Sequence, residues 1–265
     1  VRSMQKVQAD FQLTATNVAA VLRICRLVQG MPLGLELAAA NASGAPLDAI
    51  ADAIAESAAF LSVEWRDLPE RQRSMRAVFA WSWHLLSVEE QRILCQSAVF
   101  RDGFTYAAVQ AVTGATLPLL TRLVDKSLLQ WQATTAGEGR YAFHELLRQF
   151  AAEHLAHKAA EQEKVAVRHS EFYLNYLAAR EMRLTRTEPR AAAAEIQVEL
   201  DNIRQAWQCA VQRLDFPALQ RSAWTLFSFY RHTGALAEAL QAFQSIADGV
   251  PLLVQPEHQT LGQQQ

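Results

Sequence analysis

The chain has 265 residues and a formal net charge of −2; 51% of its residues are hydrophobic and 20% are charged. This apolar fraction argues against disorder, and the small net charge does not support binding to nucleic acid or a membrane surface through bulk charge. No apolar run approaches the roughly 18 residues of a membrane span, and the polar start lacks the apolar core of a secretory signal. We therefore expect a cytoplasmic protein without membrane contact. The absence of an initiator Met suggests a piece of a longer chain.

The 10 glycines and 8 prolines of the whole chain are too few for a turn-rich β protein, and the first third has the periodicity of helices. Gly30 is predicted to end one helix as a left-handed cap, and Pro32 to begin the next. The apolar face of the helix before Gly30 is predicted to contain Val18, Val21, Leu22, Cys25 and Val28. A further helix is predicted to start at Pro46, and its inward-facing residues are predicted to be Leu47, Ile50, Ala51 and Ile54. The charged stretch 63–73 is predicted to be a linker between two small domains.

The second predicted unit begins near Ser74, and a capping box marks one of its helices. The Ser87 hydroxyl can accept a backbone hydrogen bond at the helix start, and the Glu90 side chain can return one. The elements predicted after this helix are a turn at 101–104, a helix from a cap at Thr105 to Gly114, a helix from 116–117 to about Lys126, β-like stretches at 127–132 and 140–143, and a helix at 145–158. Helices followed by a short β-hairpin have the outline of a winged helix.

From residue 161 onward the pattern is helical throughout. One predicted apolar stripe contains His169, Phe172, Tyr173, Tyr176 and Leu177. A second contains Ile196, Leu200, Ile203, Ala206 and Trp207. The last helical pair fits the tetratricopeptide repeat pattern at Leu226, Tyr230, Ala239, Phe243 and Pro251. Ala223 and Phe227 depart from that pattern, which has Trp and Gly at these places.

Complete catalytic motifs are missing from the sequence. No Gly-Lys pair exists, so the chain has no P-loop, and neither a dinucleotide-binding glycine motif nor a nucleophile elbow occurs. His144-Glu145 lacks the second histidine of a zinc-binding H-E-x-x-H motif, and His154 with His157 lacks further ligands. The separated residues Cys25, Cys95 and Cys209 are expected to be buried thiols. We expect no catalytic residue, no metal site and no enzyme activity in this chain.

Two local motifs remain to be explained. The first is the stretch from Cys25 to Ala40, in which Gly30 and Pro32 also fit a plain corner between two helices. The second runs from Tyr141 to Phe150, where His144 also fits a plain N-terminal cap of the helix after the wing. Residue types alone leave both interpretations open.

Together the two motifs resemble the STAND signal-transduction ATPases, which include large LuxR-type bacterial regulators and NB-ARC-like proteins. Gly30-Met31-Pro32 is similar to the Gly-x-Pro motif of their helical domain, and Phe143-His144-Glu145 to the Met-His-Asp motif of their winged helix. The resemblance implies a mainly α fold: a small helical domain at 1–68, a winged-helix domain with a short β-hairpin at 69–160, and tetratricopeptide-like superhelical repeats at 161–265. It covers residues 1–210 well and the remainder weakly.

The resemblance further implies a nucleotide switch, with Gly30, Pro32, Leu33 and His144 as the cofactor-binding residues. In this family the proline packs on adenine and the histidine donates a hydrogen bond to a phosphate of ADP. ATP or ADP is expected only in the full-length parent, held mainly by an N-terminal P-loop NTPase domain that this sequence lacks, and no cofactor is expected for this chain alone. A protein or small-molecule inducer is expected at the helical repeats.

Two other functions stay open: a DNA-binding winged helix, and a helical-repeat scaffold that binds proteins only. The helix before the wing usually reads DNA, and here it offers only Arg122 and Lys126, with Asp125 between them. Base recognition needs more polar side chains projecting from such a helix. The sequence therefore favours a regulatory part of a larger protein without direct nucleic-acid contact.

Overall fold

The structure is a computed structural model that describes residues 1–42, 45–64, 70–133 and 139–249. The chain divides into two compact units, Val1–Val165 and Ala166–Gln265. Helices make up most of each unit, with one small sheet in the first, which confirms the mainly α fold class. Among the described residues no single helix has the length and apolar composition to cross a membrane; α7 and α8, defined below, reach that composition only when joined across a 109° bend.

Five helices form the first part of the first unit. They are α1 (Arg2–Val7), α2 (Val18–Leu27), α3 (Pro32–Ala40), α4 (Leu47–Glu64) and α5 (Glu70–His84). α4 packs against both α2 and α5, and α3 packs against α1 and α5. Their shared core contains Val28, Leu37, Ile50, Ile54 and Val78, each at most 1% exposed. The inward face predicted for α4 is confirmed at Ile50, Ala51 and Ile54, while Leu47 is half-buried.

The inward face predicted for α2 is confirmed at Val28, which is 0% exposed, while Val21 and Cys25 are half-buried. It is wrong at Val18 and Leu22, which are 37% and 50% exposed. Ala20 and Ile24, at 3% and 5%, are buried instead and precede Val28 at intervals of four residues. α2 carries two apolar stripes, and packing against α3 and α4 determines which of them is buried.

The predicted linker at 63–73 is helical at both ends. Val63 and Glu64 complete α4, and residues 70–73 begin α5. The stretch 65–69, which contains the predicted domain boundary between 68 and 69, lies outside the described residues. Because α5 packs against α3, α4 and α9, it contacts elements on both sides of that boundary.

The rest of the first unit has the element order of a winged helix. It consists of α6 (Val88–Ser97), β1 (Phe104–Thr105), α7 (Tyr106–Thr113), α8 (Leu117–Asp125), β2 (Gln130–Gln132), β3 (Arg140–Ala142), α9 (Glu145–Ala156) and the start of α10 (Ala159–Ala178). The capping box at Ser87 and Glu90 is confirmed, with both reciprocal hydrogen bonds formed. In α8, Leu119, Leu120 and Leu123 are buried, while Val124 is half-buried.

The sheet has one strand more than the predicted hairpin. β2 and β3 form the hairpin, and β1 pairs antiparallel with the other side of β3, giving the order β1-β3-β2. The sequence predicted a turn at 101–104 and no strand there. β1 has only two residues, too few to show the alternation of apolar and polar side chains that indicates a strand. Gly103 (φ 87°) permits the pairing, since a Cβ there would lie 2.8 Å from the Tyr141 carbonyl oxygen.

The second unit contains antiparallel helical pairs. After the remainder of α10 come a π-helical turn (Arg183–Thr187), α11 (Pro189–Val198), α12 (Leu200–Gln212), α13 (Phe216–Thr233) and α14 (Leu236–Gly249). α12 packs against both α13 and α14, and these two pack against each other. The stripe from Ile196 to Trp207 is confirmed as buried, as are His169, Tyr173 and Leu177 of the first stripe. Pro251, the last residue matched to the repeat pattern, lies outside the described residues.

Candidate functional site

The corner between α2 and α3 holds three of the predicted site residues. Gly30 has φ 66° and donates from its N–H to the Cys25 carbonyl at 2.8 Å, which is a left-handed cap of α2. Pro32 is the first residue of α3, where its missing N–H leaves no hydrogen bond unmade. The Pro32 ring is exposed, whereas Leu33 is 8% exposed and lies in the core. Pro32 is therefore an exposed apolar ring at this corner, and its contact with a nucleotide stays a prediction.

Gly34 is a residue of this corner that the sequence analysis did not single out. An added Cβ would lie 2.8 Å from Val28 Cβ and 3.4 Å from Met75 Sδ. The backbone of α3 can thus approach α2 and α5 only because residue 34 has no side chain. The four-residue spacing of Gly30 and Gly34 around Pro32 is the only sequence signal for this requirement.

Replacing Gly34 with Ala is expected to destabilise the first unit by about 1–3 kcal/mol, because β-branched Val28 cannot move away without shifting α2. Helix propensity alone would stabilise this variant by about 1 kcal/mol. The sign of the change in unfolding free energy therefore shows whether the clash with Val28 or the helix propensity is the larger effect. Urea unfolding followed by circular dichroism measures it. Gly30→Ala is the comparison, since nothing lies within 4 Å of its added Cβ and only the positive φ opposes the change. A Gly34→Ala protein more stable than wild type would contradict the close approach.

His144 lies at the corner between β3 and α9. It is the N-cap of α9 and exposed, and its Nδ1 accepts a hydrogen bond from Leu146 N at 3.4 Å. Because Nδ1 accepts, a neutral ring carries its proton on Nε2. His144 therefore caps the helix and keeps a donor directed away from that bond, so the two roles left open by the sequence are compatible.

Glu145, the next residue, is held by a bidentate ion pair. Arg148 donates to it from Nε and Nη2, both at 2.8 Å, and Gln149 donates at 2.9 Å. The hydrogen bonds from Arg148 lower the pKa of Glu145 to about 2, although burial opposes the shift. Arg148 also donates to the Ala98 carbonyl at 3.3 Å, which ties the first turn of α9 to the end of α6. This pair fixes the position from which His144 projects.

The two corners belong to one compact unit. α3 and α9 both pack against α5, the helix whose Met75 and Phe79 are each 2% exposed. Phe79 contacts Phe150 of α9 at a ring distance of 5.8 Å, and Met75 lies beside Gly34 of α3. α5 thus sets the relative position of the Pro32 and His144 corners. The resemblance implies that Pro32 and His144 contact one nucleotide, and we therefore predict that the two corners face a common cleft.

The two basic residues of the helix that would read DNA form ion pairs with a buried carboxylate. Glu90 is 3% exposed, and its Oε2 accepts from Lys126 Nζ at 2.8 Å and its Oε1 from Arg122 Nε at 3.2 Å. Burial raises the pKa of Glu90, but the hydrogen bonds from Lys126 and Ser87 outweigh it, so the pKa is lowered. Arg122 and Lys126, the two basic residues of this helix region, are thereby directed toward α6.

The surroundings of His154 and of the three cysteines indicate a structural role. The His154 ring lies 4.5 Å from the Trp83 ring and 4.4 Å from the Phe150 ring, and its Nδ1 is 3.0 Å from the Phe150 carbonyl. Among the described residues no group of three or more His, Cys, Asp or Glu side chains is arranged to hold a metal ion. Cys95 is buried, which raises the pKa of its thiol to about 12, and Cys25 and Cys209 are half-buried.

The second unit exposes an apolar surface between its last two helices, which we call the C-terminal groove. Trp224, Leu236 and Leu240 are 52%, 59% and 68% exposed. Phe227 and Phe243 complete its walls, with their rings 6.4 Å apart. Three large apolar side chains are thus exposed side by side on this unit.

Comparisons with known proteins point to regulators. A Mycobacterium tuberculosis protein named "Putative HTH-type transcriptional regulator" is 33% identical over 249 residues, which are 91% of this chain and 25% of the relative. A Mycobacterium bovis protein of the same name matches equally. An "Uncharacterized protein" of Mycobacterium tuberculosis is 30% identical over 175 residues, 62% of this chain and 44% of the relative.

The chain spans about a quarter of the length of the first two relatives. No family model matches it, and no solved structure does. The similarity supports a family of regulators and reaches across both units of the chain, since it covers 91% of the sequence.

Proposed function

We propose that the chain is the regulatory and sensor part of an ATP-dependent signal-transduction protein that controls transcription. In this proposal the first unit is a lid that responds to the nucleotide state, and the second is a platform for a protein or small-molecule inducer. The names of the relatives support the regulatory role, and the element order and the two corners support the switch. Catalytic residues would lie in a separate P-loop NTPase domain, not in this chain.

The observation that carries the proposal is the geometry of His144. Its capping bond through Nδ1 holds the ring at the start of α9 and leaves Nε2–H exposed as a donor. A helix start also favours an anion, because its free N–H groups and dipole both attract negative charge. In the parent protein His144 would donate to a phosphate of ADP, and Pro32 would pack on the adenine. These residues offer one hydrogen bond and one small ring, too few to hold a nucleotide without the P-loop domain.

The alternative of direct DNA binding by the winged helix has one supporting observation, the name of the relatives. The pairing of Arg122 and Lys126 with Glu90 weighs against it, since both side chains are engaged within the unit. The relatives are about four times as long as the match, so a separate domain can supply DNA recognition. We therefore assign regulation, and not DNA reading, to this chain.

The test is replacement of His144 in the full-length protein. A hydrogen bond to a charged phosphate contributes about 1.5–3 kcal/mol. If this bond forms only when the lid is closed, its loss changes the equilibrium between closed and open lid by roughly ten-fold or more, in favour of the open state. We expect His144→Ala to release labelled ADP at least about ten-fold faster and to be active without inducer.

Two further variants separate the latch from the cap. His144→Ser keeps an oxygen that caps α9 but is too short to reach a ligand, so it is expected to release ADP as fast as His144→Ala while retaining thermal stability. His157→Ala, at the exposed C-terminal cap of the same helix, is the control. Unchanged ADP release in His144→Ser would make His144 a structural residue only.

A further inference from the structure

A second depression of the second unit has a polar character, unlike the C-terminal groove. It is an open cavity of about 370 Å³ to which α12, α13 and α14 each contribute one face. Arg204 and Gln208 lie one turn apart on α12, and Glu238 and Gln241 lie one turn apart on α14. Trp207 and Tyr230, each 2% exposed, form the buried floor between them. We call this the sensor cavity.

The floor of the sensor cavity is rigid. The Trp207 indole N–H donates to the Ala242 carbonyl at 2.9 Å, which joins α12 to α14 directly beneath the polar side chains. The Trp207 ring also packs edge-on against Phe243, with the ring centres 5.4 Å apart. A pre-formed floor lowers the entropy lost when a ligand binds.

An ion pair spans the rim from helix to helix. Arg204 Nη2 donates to Glu238, and Arg204 Nη1 donates to Asp201 Oδ1 at 3.1 Å on its own helix. The Arg204 and Glu238 side chains are 41% and 49% exposed. Exposed pairs of this kind contribute only about 0–1 kcal/mol, because water solvates the separated charges well. The Arg204–Glu238 pair can therefore be opened at little cost.

We propose that the sensor cavity binds a free amino acid, whose carboxylate takes the place of Glu238 on Arg204 and whose ammonium takes the place of Arg204 on Glu238. A zwitterion matches both side chains of the pair at once, whereas an anion or a cation alone matches only one of them. The amides of Gln208 and Gln241 each offer a donor and an acceptor to the ligand's polar groups. The inference rests on the proposed function, since it names the inducer class of the sensor unit.

The test uses the 265-residue chain and the set of twenty free amino acids as probes. Binding is followed by the Trp207 indole N–H signal in ¹H–¹⁵N NMR spectra and by titration calorimetry. We expect at least one amino acid to shift that signal saturably. Its N-acetyl derivative and its amide, which each lack one charge, are expected to bind at least about ten-fold more weakly.

Variants tie the binding to the rim. Arg204→Gln and Glu238→Gln are each expected to weaken binding by about ten-fold or more. Arg183→Gln is the matched control, because Arg183 also pairs with two carboxylates, Glu188 and Glu195, in the same unit and away from the cavity. It is expected to bind like wild type.

Three outcomes would overturn the inference: no amino acid shifts the Trp207 signal, the singly charged derivatives bind equally well, or the rim variants bind like wild type. Because binding is measured on this chain without nucleotide, any of these results leaves the His144 test of the switch untouched. Conversely, unchanged ADP release in the His144 variants would not affect the amino-acid titration.

Discussion

Glu90→Gln is expected to destabilise the first unit by about 1.5–3 kcal/mol. Glu90 accepts hydrogen bonds from Arg122, Lys126 and the Ser87 backbone N–H while its side chain is 4% exposed. The neutral amide loses the charge-assisted part of these hydrogen bonds at a buried position, and this loss exceeds that of a pair in which both members are exposed. Urea unfolding of the chain measures the change. Glu89→Gln is the matched control: Glu89 is the neighbouring residue and pairs with Arg92, but its side chain is 55% exposed, so a change below about 1 kcal/mol is expected.

The same variant has a defined pH dependence. The folded-state pKa of Glu90 lies below its ordinary value of 4.5. Its charge therefore stabilises the fold above that value, and the stabilisation is lost as the pH falls through the lowered pKa. The difference in unfolding free energy between wild type and Glu90→Gln should be constant near neutral pH and shrink below about pH 4.5. A difference that grows on acidification would mean that Glu90 is protonated in the native state.

Trp207→Ala is expected to destabilise the second unit by about 3–5 kcal/mol. The ring is 2% exposed, and the variant loses both its packing against Phe243 and the hydrogen bond to Ala242. Large aromatic deletions in a core leave a cavity that the surroundings fill only partly. Thermal unfolding followed by far-UV circular dichroism avoids the loss of the tryptophan signal itself.

Trp224→Ala is the comparison for this prediction. The Trp224→Ala change removes the same number of atoms from the same unit, but the Trp224 side chain is 52% exposed in the C-terminal groove. A change below about 1 kcal/mol is expected. Equal destabilisation by the two variants would show that the groove is covered in the protein in solution.

Local chemistry made part of this structure predictable from sequence. The capping box at Ser87 and Glu90, the left-handed cap at Gly30 and the helix start at Pro32 each depend on residues close in the chain, and all three are present. The buried stripe of α12 followed from its 3.6-residue repeat, because no second apolar stripe competes on that helix.

The features that sequence analysis missed depend on distant residues. The strand β1 exists because β3 pairs with it, and packing against α3 and α4 determines the inward face of α2. In the candidate site, the positions of Gly30, Pro32 and His144 at helix termini could be predicted. The burial of Leu33, the close contact at Gly34 and the attachment of Arg122 to Glu90 could not, since each depends on residues that only folding brings together.

The capping bond of His144 gives one ring two tasks. Its Nδ1 accepts from the Leu146 N–H, which leaves the other ring nitrogen as the donor. In the proposed switch, the side chain that completes the first turn of α9 is therefore also the one that contacts phosphate. A replacement must both accept from its own helix and donate to the ligand to preserve the switch.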